Sequence, residues 1–177
     1  MKALVTKEDL DEYKYIADSV KNRQTWEQMV NEAVLLDVKN WLGESLLAEI
    51  IEQNEKIPVE FSAENKLLLS GGRYEYNKRT YMFQGLKAAI IYYAFARFTN
   101  RMQVNYTALG LVIKESDYSN PVSDKTVQRL VTEAKLTADA IRDEISLFLN
   151  RNCRDYPLWR TRFVGDHRTR TFKVLGE

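Results

Sequence analysis

Few residues of this chain could do covalent or metal chemistry. Its only cysteine is Cys153 and its only histidine is His167, and both lie in a carboxyl-terminal segment without a regular hydrophobic pattern. A nucleophilic Cys–His pair needs an activated thiolate held beside its base. One thiol and one imidazole also fall short of the ligand set of a structural zinc site. We therefore expect neither cysteine-based catalysis nor a zinc centre.

Carboxylates cluster near the amino terminus and allow two interpretations. They could act as catalytic acids or as metal ligands, but acids in the first turn of a helix also interact favourably with its dipole. Thr6 and Asp9 fit a capping box in which Asp replaces the usual Glu. We favour the second interpretation, in which a short helix begins here and carries these acids: Glu8, Asp9, Asp11 and Glu12.

The glycine pair Gly71-Gly72 resembles part of a phosphate loop, but no helix start follows it and the Walker spacing is absent. The sequence also lacks a nucleophile elbow and a dinucleotide-binding fingerprint. We therefore expect no enzyme activity, no cofactor and no metal site. A small enzyme with an unfamiliar site is the alternative, and it would need a ligand pocket with perturbed titratable groups.

Composition indicates one soluble domain made in the cytosol. The 177 residues are 45% hydrophobic and 29% charged, and the start of the chain lacks the apolar segment of a signal peptide. The net charge of +1 is unevenly distributed. Residues 151–177 hold six Arg and one Lys against three acids, which gives +4, so residues 1–150 carry −3. Any affinity for nucleic acid would therefore lie in the tail.

The stretch from Tyr81 to Met102 predicts the central element of the fold. From Leu86 onward nearly every residue is apolar or aromatic, and Lys87, Ala94 and Arg101 fall on one narrow line of a helical wheel. A helix that is apolar almost all round is buried, so other elements should pack on it from several sides. Its uncharged run, residues 88–96, is too short to cross a bilayer.

A second helix is predicted to begin at a capping box formed by Thr25 and Gln28. Asp37 and Asn40 interrupt its apolar face, so either that face turns outward or both residues find partners, with Arg or Lys expected for Asp37. Gly43 should end or kink the helix, which then continues over residues 44–55. Its apolar positions share one face: Trp26, Met29, Val30, Ala33, Val34 and Trp41.

The middle of the chain predicts small β elements. Ser62 should cap a short helix that stops at Gly71. Residues 73–81 alternate around Asn77-Lys78, as a hairpin does. Residues 108–114 are rich in strand formers, and we expect them to add a strand beside that hairpin.

The longest helix should begin after the cap residue Ser123 and run to about Asn150. One stripe is predicted to face the core: Val127, Leu130, Val131, Ala134, Ala138, Ile141, Ile145, Phe148 and Leu149. Leu136, Ala140 and Leu147 lie on the opposite side. Taken alone, such a second seam is more often exposed apolar surface than an interface.

Beyond this helix, Tyr156 to Trp159 is predicted to be an extended aromatic anchor. We expect a mainly α fold: a helical bundle around a buried central helix, with a small hairpin or strand element, in one domain over residues 1–159. Residues 160–177 should form a basic, extended tail. The residues expected to dock a partner are Tyr156, Trp159, Arg160, Arg162, Arg168, Arg170, Phe172 and Lys173.

Residues 71–98 (GGRYEYNKRTYMFQGLKAAIIYYAFARF), residues 107–121 (TALGLVIKESDYSNP), and the long helix ending before residues 156–159 (YPLW) together resemble head–tail connector proteins of tailed bacteriophages. The resemblance is closest to connectors of phages and prophages of Bacteroidales hosts, including the crAss-like phages. It covers about residues 25 to 160 and rests on aromatic and glycine spacing rather than on catalytic motifs.

The resemblance implies a structural virion protein that closes into a ring beneath the portal, usually a dodecamer, and joins the DNA-filled head to the tail. Its partners would be further copies of itself, the portal protein and other connector or tail proteins, with passive contact to DNA in the channel and no membrane. It would be found in the host cytoplasm before assembly and at the head–tail junction afterwards. Leu136, Ala140 and Leu147 then become candidates for subunit contact.

The competing function is a helical nucleic-acid-binding protein that uses the basic tail, although aromatic and Arg residues are few there. We expect residues 160–177 to be mobile in the free subunit, because they hold little apolar surface to offset the entropy of ordering. In the assembly, residues 171–175 could add as a strand to a sheet edge of a neighbour, with acidic surface matching the positive charge.

Overall fold

Helices dominate the described part of the chain, which comprises residues 2–13, 23–101, 104–107, 110–113 and 122–159 of a computed structural model. Seven α-helices and two small antiparallel hairpins alternate along these residues. The prediction of a mainly α fold around a buried central helix, with a small β element, is confirmed.

The first helix, α1, spans Lys7–Tyr13 and begins at the predicted capping box. The backbone N–H of Thr6 donates to Asp9 Oδ2 at 2.8 Å, and the backbone N–H of Asp9 donates to Thr6 Oγ1 at 3.3 Å. Asp9 also accepts a 2.7 Å bond from Lys87 Nζ, so one carboxylate caps α1 and ties it to the central helix. The structural interpretation of Asp9 is therefore confirmed.

The next three helical stretches form one continuous helix, which we call the α2 rod, and its middle turn is π-helical. Helix α2 (Arg23–Glu32) continues into a π-helical turn, Ala33–Val38, and then into α3, Lys39–Leu42. The predicted cap at Thr25 is wrong, because Arg23 and Gln24 are already helical and Thr25 lies inside the helix. Gly43 ends the rod at φ 93°, a backbone conformation that favours glycine, and α4 (Glu44–Glu55) follows at once.

Helix α5 (Ala63–Ser70) begins at Ser62, whose hydroxyl accepts from the backbone N–H of Asn65. It ends at Gly71, where φ is 72° and a Cβ would lie 2.4 Å from the backbone N of Gly85. Strands β1 (Gly71–Tyr76) and β2 (Arg79–Gln84) then form the predicted hairpin. Asn77 and Lys78 both have positive φ, as a two-residue hairpin turn requires.

The central helix, α6, spans Leu86–Arg101 and is the most thoroughly buried element of the described chain. Strands β3 (Val104–Thr107) and β4 (Gly110–Ile113) follow it as a separate hairpin. The expectation that residues 108–114 would add to the first hairpin is wrong. Residues 104–107 lie immediately upstream, and a short hairpin connection costs less loop-closure entropy than pairing with a distant strand.

The last long helix, α7, spans Asp124–Arg151 and is capped by Ser123, whose hydroxyl accepts from the backbone N–H of Thr126. It runs antiparallel to α6, because Asn100 lies near Gln128 while Tyr93 contacts Asp139. Every residue of the predicted core stripe is buried except Leu130, which is 38% exposed.

Helix α6 lies between α7 and the α2 rod. Ala96 of α6 packs in a cluster with Val127, Val131 and Ala134 of α7. Phe98 makes an edge-to-face contact with Trp26 of α2, with ring centroids 6.4 Å apart. Residues two apart on a helix point to opposite sides, so α7 and α2 flank α6 on opposite sides.

Candidate subunit-contact surfaces

The predicted seam of α7 is an exposed apolar surface. Leu136 is 65% exposed, Leu147 is 48% exposed, and Ala140 between them is also exposed. Their spacing of four and seven residues places them on one face, over about 16 Å of helix. We call these three residues the α7 outer stripe. The structure thus brings together the three residues predicted as a subunit contact.

The core is complete without this stripe. The buried side of α7, from Val127 to Leu149, packs against α6 and the first hairpin. Phe148 stacks on Phe83 with ring centroids 4.1 Å apart. The stripe lies on the opposite side of the helix and is not part of this core.

A second exposed apolar surface was missed by the sequence analysis. Leu35 and Leu36, in the π-helical turn, are 48% and 55% exposed, although Val34 and Val38 beside them are fully buried. We call Leu35 and Leu36 the π patch. The sequence does place these two adjacent leucines outside the apolar face of the predicted helix. Exposed leucines are common on protein surfaces, however, so this position alone does not predict a contact surface.

An ion-pair network holds the π-helical turn against α6. Arg97 donates to both carboxylate oxygens of Asp37, at 2.8 and 3.0 Å, and lies 3.5 Å from Glu32. Arg101 also donates to Glu32, at 2.8 Å. The prediction that Asp37 finds an Arg or Lys partner is confirmed, and Asn40 finds one in the carbonyl of Leu36 at 2.6 Å.

A second polar contact fastens α6 to α7. The hydroxyl of Tyr93 donates to Asp139 at 2.6 Å, and Arg142 donates to the same carboxylate oxygen at 3.0 Å. Burial, followed by the bond to Asp139, raises the pKa of the Tyr93 phenol above its ordinary value, so Tyr93 stays protonated at neutral pH. These polar groups are paired with one another across the contact between α6 and α7.

Tyr156 and Trp159 are buried in the core of the described subunit. They are 3% and 2% exposed; the Tyr156 hydroxyl donates to the carbonyl of Glu64, and the Trp159 indole donates to Asn150. Residues 157–159 form a helical turn rather than an extended segment. The prediction of an extended segment is therefore wrong, because large aromatic rings gain more by covering the end of α7 than by remaining in water. The docking role of Tyr156 and Trp159 stays a prediction.

The remaining tail predictions lie outside the described residues. This applies to the candidate docking residues Arg160, Arg162, Arg168, Arg170, Phe172 and Lys173. It applies equally to His167, and therefore to the weighed pairing of Cys153 with a histidine. The nucleic-acid-binding alternative rests on the same residues.

In the described part of the chain, no group of His, Cys, Asp and Glu side chains could hold a metal ion. A cavity of about 240 Å³ is lined in part by Glu49, Asn65 and Tyr156, but Asn65 donates to Glu49 at 3.0 Å and to Gln53 at 3.1 Å. Among these same residues, no helix is long and apolar enough to cross a membrane.

Comparisons with known proteins give a family for this chain without a function. A family model described as a family of unknown function, DUF6712, matches residues 38–169. The match extends from the end of the π-helical turn, through both hairpins and α7, and beyond the described residues. Neither curated proteins nor solved structures gave a match. The chain belongs to the DUF6712 family.

Proposed function

We propose that this protein is a structural subunit of the head–tail connector of a tailed bacteriophage. Copies would close into a ring beneath the portal, with the portal's symmetry and therefore usually as a dodecamer. The ring would join the DNA-filled head to the tail, in contact with the portal protein and with other connector or tail proteins. Its place would be the head–tail junction of the virion, after synthesis in the host cytoplasm.

The α7 outer stripe is the observation that supports this proposal. An apolar stripe that the subunit's own core does not use is suited to contact with another subunit. The polar groups near it are engaged in packing contacts, such as that of Asp139 with Tyr93. The aromatic and glycine spacing resembles that of phage connectors. We therefore place the proposed subunit contact in a connector ring.

Assembly of the purified protein tests the proposal. The wild type, alone or with the portal protein of the same phage, should form closed rings in negative-stain images and give the matching mass in mass photometry. Leu136→Glu and Leu147→Glu should abolish the rings while leaving the melting temperature of the monomer unchanged, because both side chains are exposed and lie outside the core.

Leu130→Glu is the matched control. It places the same charge on the same helix at another partly exposed leucine, outside the α7 outer stripe. The control should still form rings. A wild type that stays monomeric with the portal protein present, or stripe variants that assemble normally, would contradict the proposal.

A further inference from the structure

The tip of the first hairpin is exposed and positively charged. Every residue from Glu75 to Thr80 is exposed, including both residues of the turn, Asn77 and Lys78. Among the described residues, the side chains of Lys78 and Arg79 have no hydrogen-bond or ion-pair partner. Residues 71–84 hold three basic side chains against one acid, so the hairpin carries a net charge of +2. These charges are free to bind an anion.

A further basic side chain, Arg151 at the end of α7, is held against this hairpin by three tyrosines. Its Nη1 donates to the hydroxyl of Tyr74 at 2.8 Å. Its guanidinium carbon lies 4.0 Å from the ring centroid of Tyr81 and 5.2 Å from that of Tyr76. Cation–π attraction acts within about 6 Å of a ring centroid, so both rings help to fix the guanidinium in place.

No carboxylate within the described residues neutralises Arg151, whereas Arg97 and Arg142 are each paired with acids. A guanidinium has five N–H donors in a planar fork, and the hydroxyl of Tyr74 takes only one of them. Arg151 is only partly buried, so a ligand can reach the rest of the fork. A guanidinium that is already fixed loses little entropy on binding a phosphate, and its fork matches two phosphate oxygens.

Arg79 lies on the same face of the hairpin as these tyrosines. Tyr76 pairs with Arg79 and Tyr74 pairs with Tyr81 in the antiparallel register, and side chains alternate between the two faces along each strand. Arg79 is therefore directly opposite Tyr76, whose ring lies beside Arg151. The two guanidinium groups flank one partly exposed tyrosine ring at the tip of the hairpin.

The nearest acids leave this face positive. Glu75 lies on the opposite face of the hairpin, since it is adjacent to Tyr74 and Tyr76 in the strand. Glu144 of α7 accepts from the backbone N–H of Gln84 at 3.3 Å, at the end of the hairpin away from the turn. Residues 151–155 hold two Arg and one Asp, so they add a further charge of +1.

We propose that the tip of the first hairpin binds the phosphate backbone of duplex DNA through Lys78, Arg79 and Arg151. The major groove of DNA is about 12 Å wide and admits a two-stranded β-ribbon, so an exposed hairpin with basic side chains at its tip fits it. Contacts to phosphates carry no sequence information, and the binding is therefore independent of base sequence. This inference goes beyond the proposed function, because a single copy makes the contact without a ring.

The competing interpretation gives Arg151 a purely structural role, in which it only holds the end of α7 against the hairpin. Loss of Arg151 would then change stability and leave DNA affinity as it is. In that case any affinity for DNA would belong to another part of the chain, such as the basic tail. The exposed Arg79 separates the two interpretations, because it contributes charge at the tip without packing in the core.

Fluorescence anisotropy of a short labelled duplex of mixed sequence, titrated with the full-length protein at several salt concentrations, tests the proposal. Arg79→Gln should weaken binding about tenfold, because it removes a charged hydrogen bond. It should also lower the slope of log K against log salt by about 0.9, the value for one phosphate contact. Arg151→Lys keeps the charge but loses the planar fork, so it should weaken binding with the slope unchanged.

Lys135→Gln is the matched control. It removes one positive charge from an exposed position of α7, about 24 Å along the helix from Arg151, and should leave both affinity and slope unchanged. Melting temperatures of all variants, measured alongside, show that each protein is folded. Arg79→Gln is exposed, so it keeps the test valid if Arg151→Lys proves unstable.

A wild type that does not bind the duplex would overturn the proposal, and so would equal affinities for the wild type and Arg79→Gln. Poly-glutamate of equal total charge should compete poorly with the duplex, which carries one charge in about every 1.7 Å of its axis. Equally effective competition by poly-glutamate would assign the hairpin tip to an acidic protein surface instead of DNA. None of these outcomes bears on ring formation, so the connector function is tested separately.

Discussion

The Asp37–Arg97 ion pair should be worth far more to stability than an exposed pair of the same length. Arg97 Nε lies 2.8 Å from Asp37, and Lys39 Nζ lies 2.9 Å from Glu44, so the two ion pairs have nearly the same length. They differ in how far their side chains are buried. The Asp37 and Arg97 side chains are 24% and 22% exposed, whereas those of Lys39 and Glu44 are 41% and 78% exposed.

Asp37→Ala removes two hydrogen bonds to a charged group and leaves Arg97 with Glu32 at 3.5 Å. Breaking a fully buried pair costs about 3–5 kcal/mol. Because this pair keeps some contact with water and Arg97 keeps one acid, we expect a loss of about 2–3 kcal/mol in unfolding free energy. The double-mutant cycle with Arg97→Ala should give a coupling of about 1–2 kcal/mol.

Urea denaturation of the monomer at pH 7 measures both quantities. The matched cycle of Lys39→Ala and Glu44→Ala should show no coupling beyond experimental error, because water screens that pair. If the Asp37–Arg97 cycle gave as little coupling energy as the Lys39–Glu44 cycle, the claim that the Asp37–Arg97 ion pair stabilises the packing of the π-helical turn on α6 would be refuted.

Three further predictions concern the core, the acid range and the chain end. Ile91→Ala should lower the unfolding free energy by about 2–5 kcal/mol in urea titrations, because Ile91 is fully buried on α6 and would leave a cavity. Burial acts to raise the pKa of Asp9, but the bonds from Lys87 and Thr6 outweigh it and lower that pKa below 3.8. The stability that wild type holds over Asp9→Asn should therefore be constant above about pH 5 and shrink as pH falls through the lowered pKa; a difference that grows in acid would contradict this. Deleting residues 160–177 should leave the melting temperature unchanged but weaken docking in particle assembly, whereas deleting residues 156–177 should destabilise the fold by removing two buried aromatic rings.

Local signals account for most of what the sequence predicted. Helix caps and helix ends depend on a few neighbouring residues, so the local sequence was enough to locate them. This holds for the caps Ser62 and Ser123 and for the helix-ending Gly43 and Gly71. The burial of α6 followed from its apolar character on all sides, and that of α7 from its periodicity. The α7 outer stripe was likewise visible, since only spacing decides which side of a helix a residue occupies.

The errors concern contacts between distant residues. The π-helical turn accompanies the pairing of Asp37 with Arg97, sixty residues further along the chain, and no local pattern announces it. For strand β4 the error was to expect pairing with the distant first hairpin, whereas β4 pairs with its immediate neighbour β3. The sequence predicts an extended segment from Tyr156 to Trp159, but this segment turns so that both rings are buried in the core.

A reconstruction of the head–tail junction of purified phage particles that carry this chain tests the connector function most directly. The account predicts a closed ring of this protein beneath the portal, in which α7 of each copy contacts a neighbour through Leu136, Ala140 and Leu147. Particles that lack the protein, or a ring in which these three side chains face water, would contradict it.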